Sequence, residues 1–192
     1  MKFISDNILE IKRELSDLDL FALEFIKILK KYTKYVVVSG YVSILIGRAR
    51  VSEDIDIIIP KMNFSKFSLL LKELKKNGFY CLNAEKNQKI YDYIKNNFAI
   101  RFAKNNRVIP NIELKFAKTK IDDIALEKTI IVKLDKEEIV ISNLELQIAF
   151  KEVVLKSPKD IEDARHIRNI AKGHLNEKLI EKYKVMLNEF YR

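Results

Sequence analysis

One cysteine, two histidines and four glycines are all that this 192-residue sequence holds of those residue types. The lone Cys81 excludes an intramolecular disulfide and any Cys-x-x-Cys zinc site. His166 and His174 are too few for a histidine-rich metal centre. No apolar run reaches the ~18 residues that a membrane span needs. The opening MKFISDNILEIKREL is charged throughout and lacks the long apolar core of a signal peptide. Internal repeats and low-complexity tracts are also missing. These absences predict a soluble, cytoplasmic protein with no membrane partner.

Hydrophobic residues make up 48% of the chain, ample for a core on the scale of one domain. Lys and Arg number 36 against 27 Asp and Glu, a formal net charge of +9. That balance favours polyanionic partners such as nucleotides or RNA. Most charges are interspersed Lys and Glu, as on an ordinary solvated surface, and richness in Lys, Glu and Ile also suits heat adaptation. Charge alone therefore does not select nucleic acid.

Apolar residues at helical spacing predict helices over Ile4–Leu15 and Leu18–Leu29. Tyr35–Val38 reads as a short buried strand, and Val42–Ile46 as the start of a helix after a turn. Ile55–Ile59 is a strand closed by Pro60. Phe64–Lys76 is an amphipathic helix ended by Asn77-Gly78. Strands are expected at Phe79–Leu82, Phe98–Phe102 and Val108–Ala117, and a hairpin around Asp135-Lys136-Glu137. After Ser142 the pattern is helical to the end. The expected organisation is an α/β layer over residues 1–142 and a helical subdomain over 143–192.

The chemistry sits in Ser39–Ile57. Side chains alternate along a strand, so Asp54 and Asp56 share one face and Ile55 takes the other. Two carboxylates roughly 6–7 Å apart on a strand face can share a divalent cation. Glu113 is the candidate third carboxylate, because Ile112, Leu114 and Phe116 take the opposite face of their strand. Asp122-Asp123 is its rival, in a segment read as a turn. Ser39-Gly40 lies between strand and helix, where backbone N–H groups can approach a phosphate. His166 and His174 read as helix-surface histidines, Cys81 as a core residue, and Tyr91, Tyr93 and Phe98 as packing aromatics.

Ser39-Gly40-Tyr41-Val42, Gly47-Arg48-Ala49-Arg50 and Ser52-Glu53-Asp54-Ile55-Asp56 together resemble the signature of the nucleotidyltransferase superfamily of the DNA polymerase β type. More narrowly, they are similar to stand-alone prokaryotic members, including the type IV toxin-like (AbiEii-type) enzymes. Ser39 stands where the family usually has its first glycine, Ser52 where it often has threonine, and Ile46 where histidine is frequent. Asn143–Lys151 and Ser157–Asp163 are similar to the family's L-E-x-L-I-x-x-K and R-x-K-D-x-x-D blocks.

The resemblance implies a small mixed sheet with helices on one side, followed by a helical subdomain. It implies transfer of a nucleoside monophosphate from an NTP to an acceptor hydroxyl, with release of pyrophosphate and with Mg²⁺ (or Mn²⁺) bound. On that basis Asp54 and Asp56 bind metal and Glu113 helps polarise the acceptor, while Ser39 and Gly40 hold the β- and γ-phosphates, with Ser52 beside the metal strand. Lys151 and Lys159 neutralise the triphosphate. Arg50 orders the loop or touches nucleotide, and Asp163 orients a lysine or the base. Asp160 is either part of the site or the third residue of a capped helix opened by Ser157 and Pro158. The acceptor stays open between RNA (a tRNA 3′ end among them), a small molecule or protein hydroxyl, and none at all in an inactive nucleotide- or partner-binding descendant. A toxin-like enzyme would also have a cognate antitoxin protein.

Overall fold

The computed structural model describes residues 1–104 and 107–191. Among them nine strands form one mixed sheet in the order β1-β2-β8-β9-β3-β4-β7-β6-β5. The strands are β1 (Lys2–Ser5), β2 (Ile8–Ile11), β3 (Val36–Val38), β4 (Asp54–Ile59), β5 (Phe79–Cys81), β6 (Ile100–Lys104), β7 (Asn111–Phe116), β8 (Thr129–Leu134) and β9 (Glu137–Ser142). The helices are α1 (Asp17–Leu29), α2 (Gly40–Leu45), α3 (Phe64–Lys76), α4 (Asn87–Lys95), α5 (Lys120–Glu127), α6 (Leu144–Phe150), α7 (Pro158–Ile170) and α8 (Glu177–Phe190). A π-helical turn, Lys151–Leu155, follows α6. No helix among the described residues is long and apolar enough to cross a membrane.

The core explains the orientation of the sheet. Ile55, Ile57 and Ile59 of β4 pair in parallel with Ile112, Leu114 and Phe116 of β7, and all six are buried. Three helices cover this face. Phe25 of α1 packs on Phe79 and Phe102, and Phe67 of α3 and Tyr91 of α4 pack on Phe116. Alternation leaves Asp54, Asp56, Asn111, Glu113 and Lys115 to the opposite face. The carboxylates are thus exiled from the apolar layer by the same pattern that builds it.

The N-terminus differs from its sequence reading. Ile4–Leu15 is not a helix but the antiparallel pair β1–β2, with β2 running parallel to β8. Ile4, Ile8 and Ile11 satisfy helical spacing, yet four-residue strands are too short to display their own alternation. Pairing with a strand more than a hundred residues away decides the matter. Of two short helices, α5 lies where the sequence suggested a turn and α4 spans a stretch to which the sequence reading assigned no element. Asp122-Asp123 sits in the first turn of α5, and Asp122 forms a capping box with Thr119.

α1 begins with another capping box, Ser16 with Asp19. Asp19 is fully buried and also accepts from Arg13 Nη1 at 2.6 Å and from Tyr41 Oη at 2.7 Å. Burial pushes its carboxyl up, but the hydrogen bonds from Arg13, Ser16 and Tyr41 outweigh that and hold it at about 2. Tyr41 is the second residue of α2, so this anchor pins the helix that follows the Ser39-Gly40 turn.

Candidate active site

β4 and β7 bring the acids together. Asp54 lies across from Asn111, and Asp56 across from Glu113, in a parallel register that keeps all four on one sheet face. Ser52 donates to the Asp54 backbone carbonyl at 3.0 Å, and its Oγ is 3.2 Å from Asp54 Oδ1, which fixes the first carboxylate. The Asp56 carboxyl is pushed up to about 6. Burial is the largest cause, and the charges of Glu113 and Asp54 add to it. Lys115 and the Ser39 side chain pull the other way without cancelling it.

A divalent cation fits this face by charge, since it would favour the ionised Asp56 that burial and the neighbouring carboxylates disfavour. Asp54 and Asp56 are the residues placed to hold it. Glu113 shares their face, but its Oε2 accepts from Arg101 of β6 at 3.0 and 3.1 Å. Among the described residues no three His, Cys, Asp or Glu side chains stand close enough, as placed, to enclose an ion. Reaching the other two acids would require Glu113 to exchange Arg101 for the cation. Asn111 escaped the sequence reading. It is nearly buried beside Asp54, and no hydrogen bond reaches its Oδ1 among the described residues. The signal was its position, two residues before Glu113 on the same strand face.

The turn between β3 and α2 is unusual. Ser39 has φ 67° and ψ −137°, a region that L side chains avoid and glycine tolerates. Gly40 has no such constraint on its backbone; a Cβ there would meet Arg50 Nη2 at 3.1 Å. Gly40 therefore makes room for the Arg50 guanidinium, which lies directly on the turn.

Arg50 leads to a second acidic centre. Its Nη1 donates to Asp163 Oδ2 at 2.5 Å, and Arg48 Nε donates to Oδ1 at 3.2 Å. Lys151 Nζ donates to Asp163 Oδ2 at 2.9 Å and is 3.6 Å from Asp160 Oδ1. Asp163 and Lys151 are both fully buried. Burial pushes the Asp163 carboxyl up, but the hydrogen bond and charge of Lys151, with Arg50 and Arg48, more than offset it and hold it below the usual carboxylate range. These contacts place two of the candidate site residues inside the fold. Lys151 does not face a triphosphate, because a buried ammonium is held by the two carboxylates that compensate it. Asp160 takes its structural role: its backbone N–H donates to the Ser157 cap, its carboxylate accepts from the Ser157 hydroxyl, and it flanks Lys151. Lys159 is exposed in the first turn of α7. His166 also ties α7 to α2, with Nε2 3.2 Å from the Ile46 carbonyl.

A cavity of about 290 Å³ opens beside Asp56. Its sheet side carries Ser39, Asp56 and Lys115, α5 contributes Asp122, and Ser142 and Gln147 close the back. Phe150 and Tyr191, whose rings meet edge-on with centroids 5.9 Å apart, stand on the far wall.

No protein-family model matches this sequence, and no curated protein matches it in sequence either. Solved structures are similar in shape. An antigenic nucleotidyltransferase-like protein from Paracoccidioides brasiliensis superposes with a TM-score of 0.54 at 13% identity, over 88% of this chain and 86% of that one. ANT(2")-Ia, solved in complex with adenylyl-2"-tobramycin, superposes with a TM-score of 0.51 at 11% identity, over 93% of this chain and 100% of that one. The mixed α/β fold is that of nucleotidyltransferase-like proteins.

Proposed function

We propose that the protein is a Mg²⁺-dependent nucleotidyltransferase that moves a nucleoside monophosphate from an NTP to an acceptor hydroxyl and releases pyrophosphate. The observation that carries this reading is the acidic sheet face. Asp54, Asp56 and Glu113 share it by register, and Asp56 is pushed up to about 6 by burial and by its neighbours. When bound, Mg²⁺ supplies neutralisation of the phosphates and of the leaving pyrophosphate.

The chain's own residues have separable tasks. Asp54 and Asp56 hold the cation, and Ser52 keeps the Asp54 carboxylate from rotating away. Glu113, released from Arg101, accepts the proton side of the acceptor hydroxyl's hydrogen bond. The Ser39-Gly40 turn presents backbone N–H groups to the phosphates. Arg48 and Arg50 are positioning residues that stiffen the segment before β4 through Asp163. Lys159, exposed near the end of the same network, is left as the lysine free to reach phosphate. The acceptor proposed is RNA, with which the net charge of +9 is compatible, and a toxin-like role would bring a protein antitoxin as partner.

Titration calorimetry of ATP, GTP, CTP and UTP with Mg²⁺, on wild type and on Asp54→Asn/Asp56→Asn, tests the core of this reading. Metal-dependent NTP binding that the double variant loses is the expected result. Binding that survives the loss of both acids would sink it.

A further inference from the structure

The cavity beside Asp56 contains a hydrogen-bonded polar pair, Gln147 and Ser142. Gln147 is only 5% exposed and Ser142 is fully buried. Gln147 Nε2 donates to Ser142 Oγ at 2.5 Å. That bond fixes the amide plane, and no group among the described residues donates to the Gln147 carbonyl oxygen. Gln147 lines an open cavity.

The rest of the cavity has the make-up of a small-ligand site: apolar walls with a few convergent polar groups. Val38, Ile58, Ile121 and Leu146 supply the walls. Phe150 and Tyr191 offer aromatic surface of the kind on which heterocyclic bases stack. At about 290 Å³ it suits a ring system rather than a nucleic-acid strand. Asp56 forms part of its lining, so a group seated there is continuous with whatever the carboxylates hold.

We propose that this cavity seats the base of the nucleotide and that Gln147, braced by Ser142, is a specificity-determining residue that reads the base edge. The inference rests on the nucleotidyltransferase reading above. The carbonyl oxygen accepts from a base N–H, and the second amide hydrogen is available to an adjacent ring nitrogen or carbonyl, the paired arrangement by which amide side chains discriminate bases.

The test is calorimetry of the four NTPs and of inorganic tripolyphosphate with Mg²⁺, on wild type and on Ser142→Ala/Gln147→Leu. Removing both partners leaves no orphaned buried group, so the variant is expected to fold. Wild type is expected to bind its preferred NTP about tenfold or more tighter than the worst, one good amide–base pair. The variant is expected to compress that spread to about twofold while its tripolyphosphate affinity stays unchanged. An unchanged spread in the variant overturns the role of Gln147. NTPs that bind wild type no tighter than tripolyphosphate overturn the base site and leave the metal and phosphate reading standing. If neither NTPs nor tripolyphosphate bind wild type, the nucleotidyltransferase reading fails and this inference with it.

Discussion

Two acidic centres lie in this molecule, and they are built on opposite principles. Asp163 is fully buried and has three cations around it, Lys151, Arg48 and Arg50. Its carboxyl is held low. Asp56 is partly buried and has two other carboxylates as neighbours, with Lys115 as its main relief, and its carboxyl is held high. The first centre is complete and joins α7 and the π-helical turn to the loop before β4. The second is incomplete, and a charge of the right sign would complete it. The difference separates an acid that the fold compensates from one that it leaves uncompensated.

The contrast is broken most severely at Asp163. Asp163→Ala strands the Lys151 ammonium in the interior and frees both arginines. A loss of about 3–5 kcal/mol is expected, read as a fall in the urea midpoint. A loss under about 1 kcal/mol would mean that water reaches the centre and that it does not hold the loop.

Asp56→Asn is expected to act in the other direction. A carboxyl raised in the folded state contributes stability below its unfolded value near 3.8 and loses it as pH climbs through about 6. The asparagine variant escapes that loss. It should match wild type near pH 4, overtake it between pH 4 and 6, and lead by up to about 3 kcal/mol above that without Mg²⁺. Denaturation midpoints across this window measure it. Stability parallel to wild type at every pH would refute the raised carboxyl of Asp56.

Ser39→Gly sharpens the comparison on the phosphate side. The wild-type residue occupies backbone conformation that costs on the order of 1–3 kcal/mol for a side-chain-bearing residue. Glycine removes the strain and adds unfolded-state entropy, so a net gain of about 1 kcal/mol is expected. A destabilised variant would show that Ser39 earns its place through its contact with Asp56. The smallest effect belongs to Arg101→Ala. That exposed ion pair is worth at most about 0.5 kcal/mol, so melting should hardly change, whereas Mg²⁺-dependent nucleotide binding should tighten as Glu113 is released. Unchanged binding would remove Glu113 from the metal site.

Much of this was legible before any coordinates. Strand alternation places Asp54 and Asp56 together, and the isoleucines between and after them specify the buried face. Ser157-Pro158 marks the start of α7 through cap and first-turn chemistry. Such signals are local, so a short window of chain contains them whole. The β1–β2 pair was misread because its partner β8 is remote. That Asp163 engages a lysine was anticipated, but the full burial of Lys151 against it depends on how α6 and α7 pack.

The sequence by itself therefore determined which face of β4 is apolar, which residues open the helices and which acids leave the core, because these follow from period, propensity and capping within a few residues. Tertiary structure alone decided the charge state each acid prefers. Desolvation and Coulomb attraction depend on distance in space, and Arg48, Arg50, Lys151 and Asp163 are neighbours only after more than a hundred residues of chain have folded back on themselves.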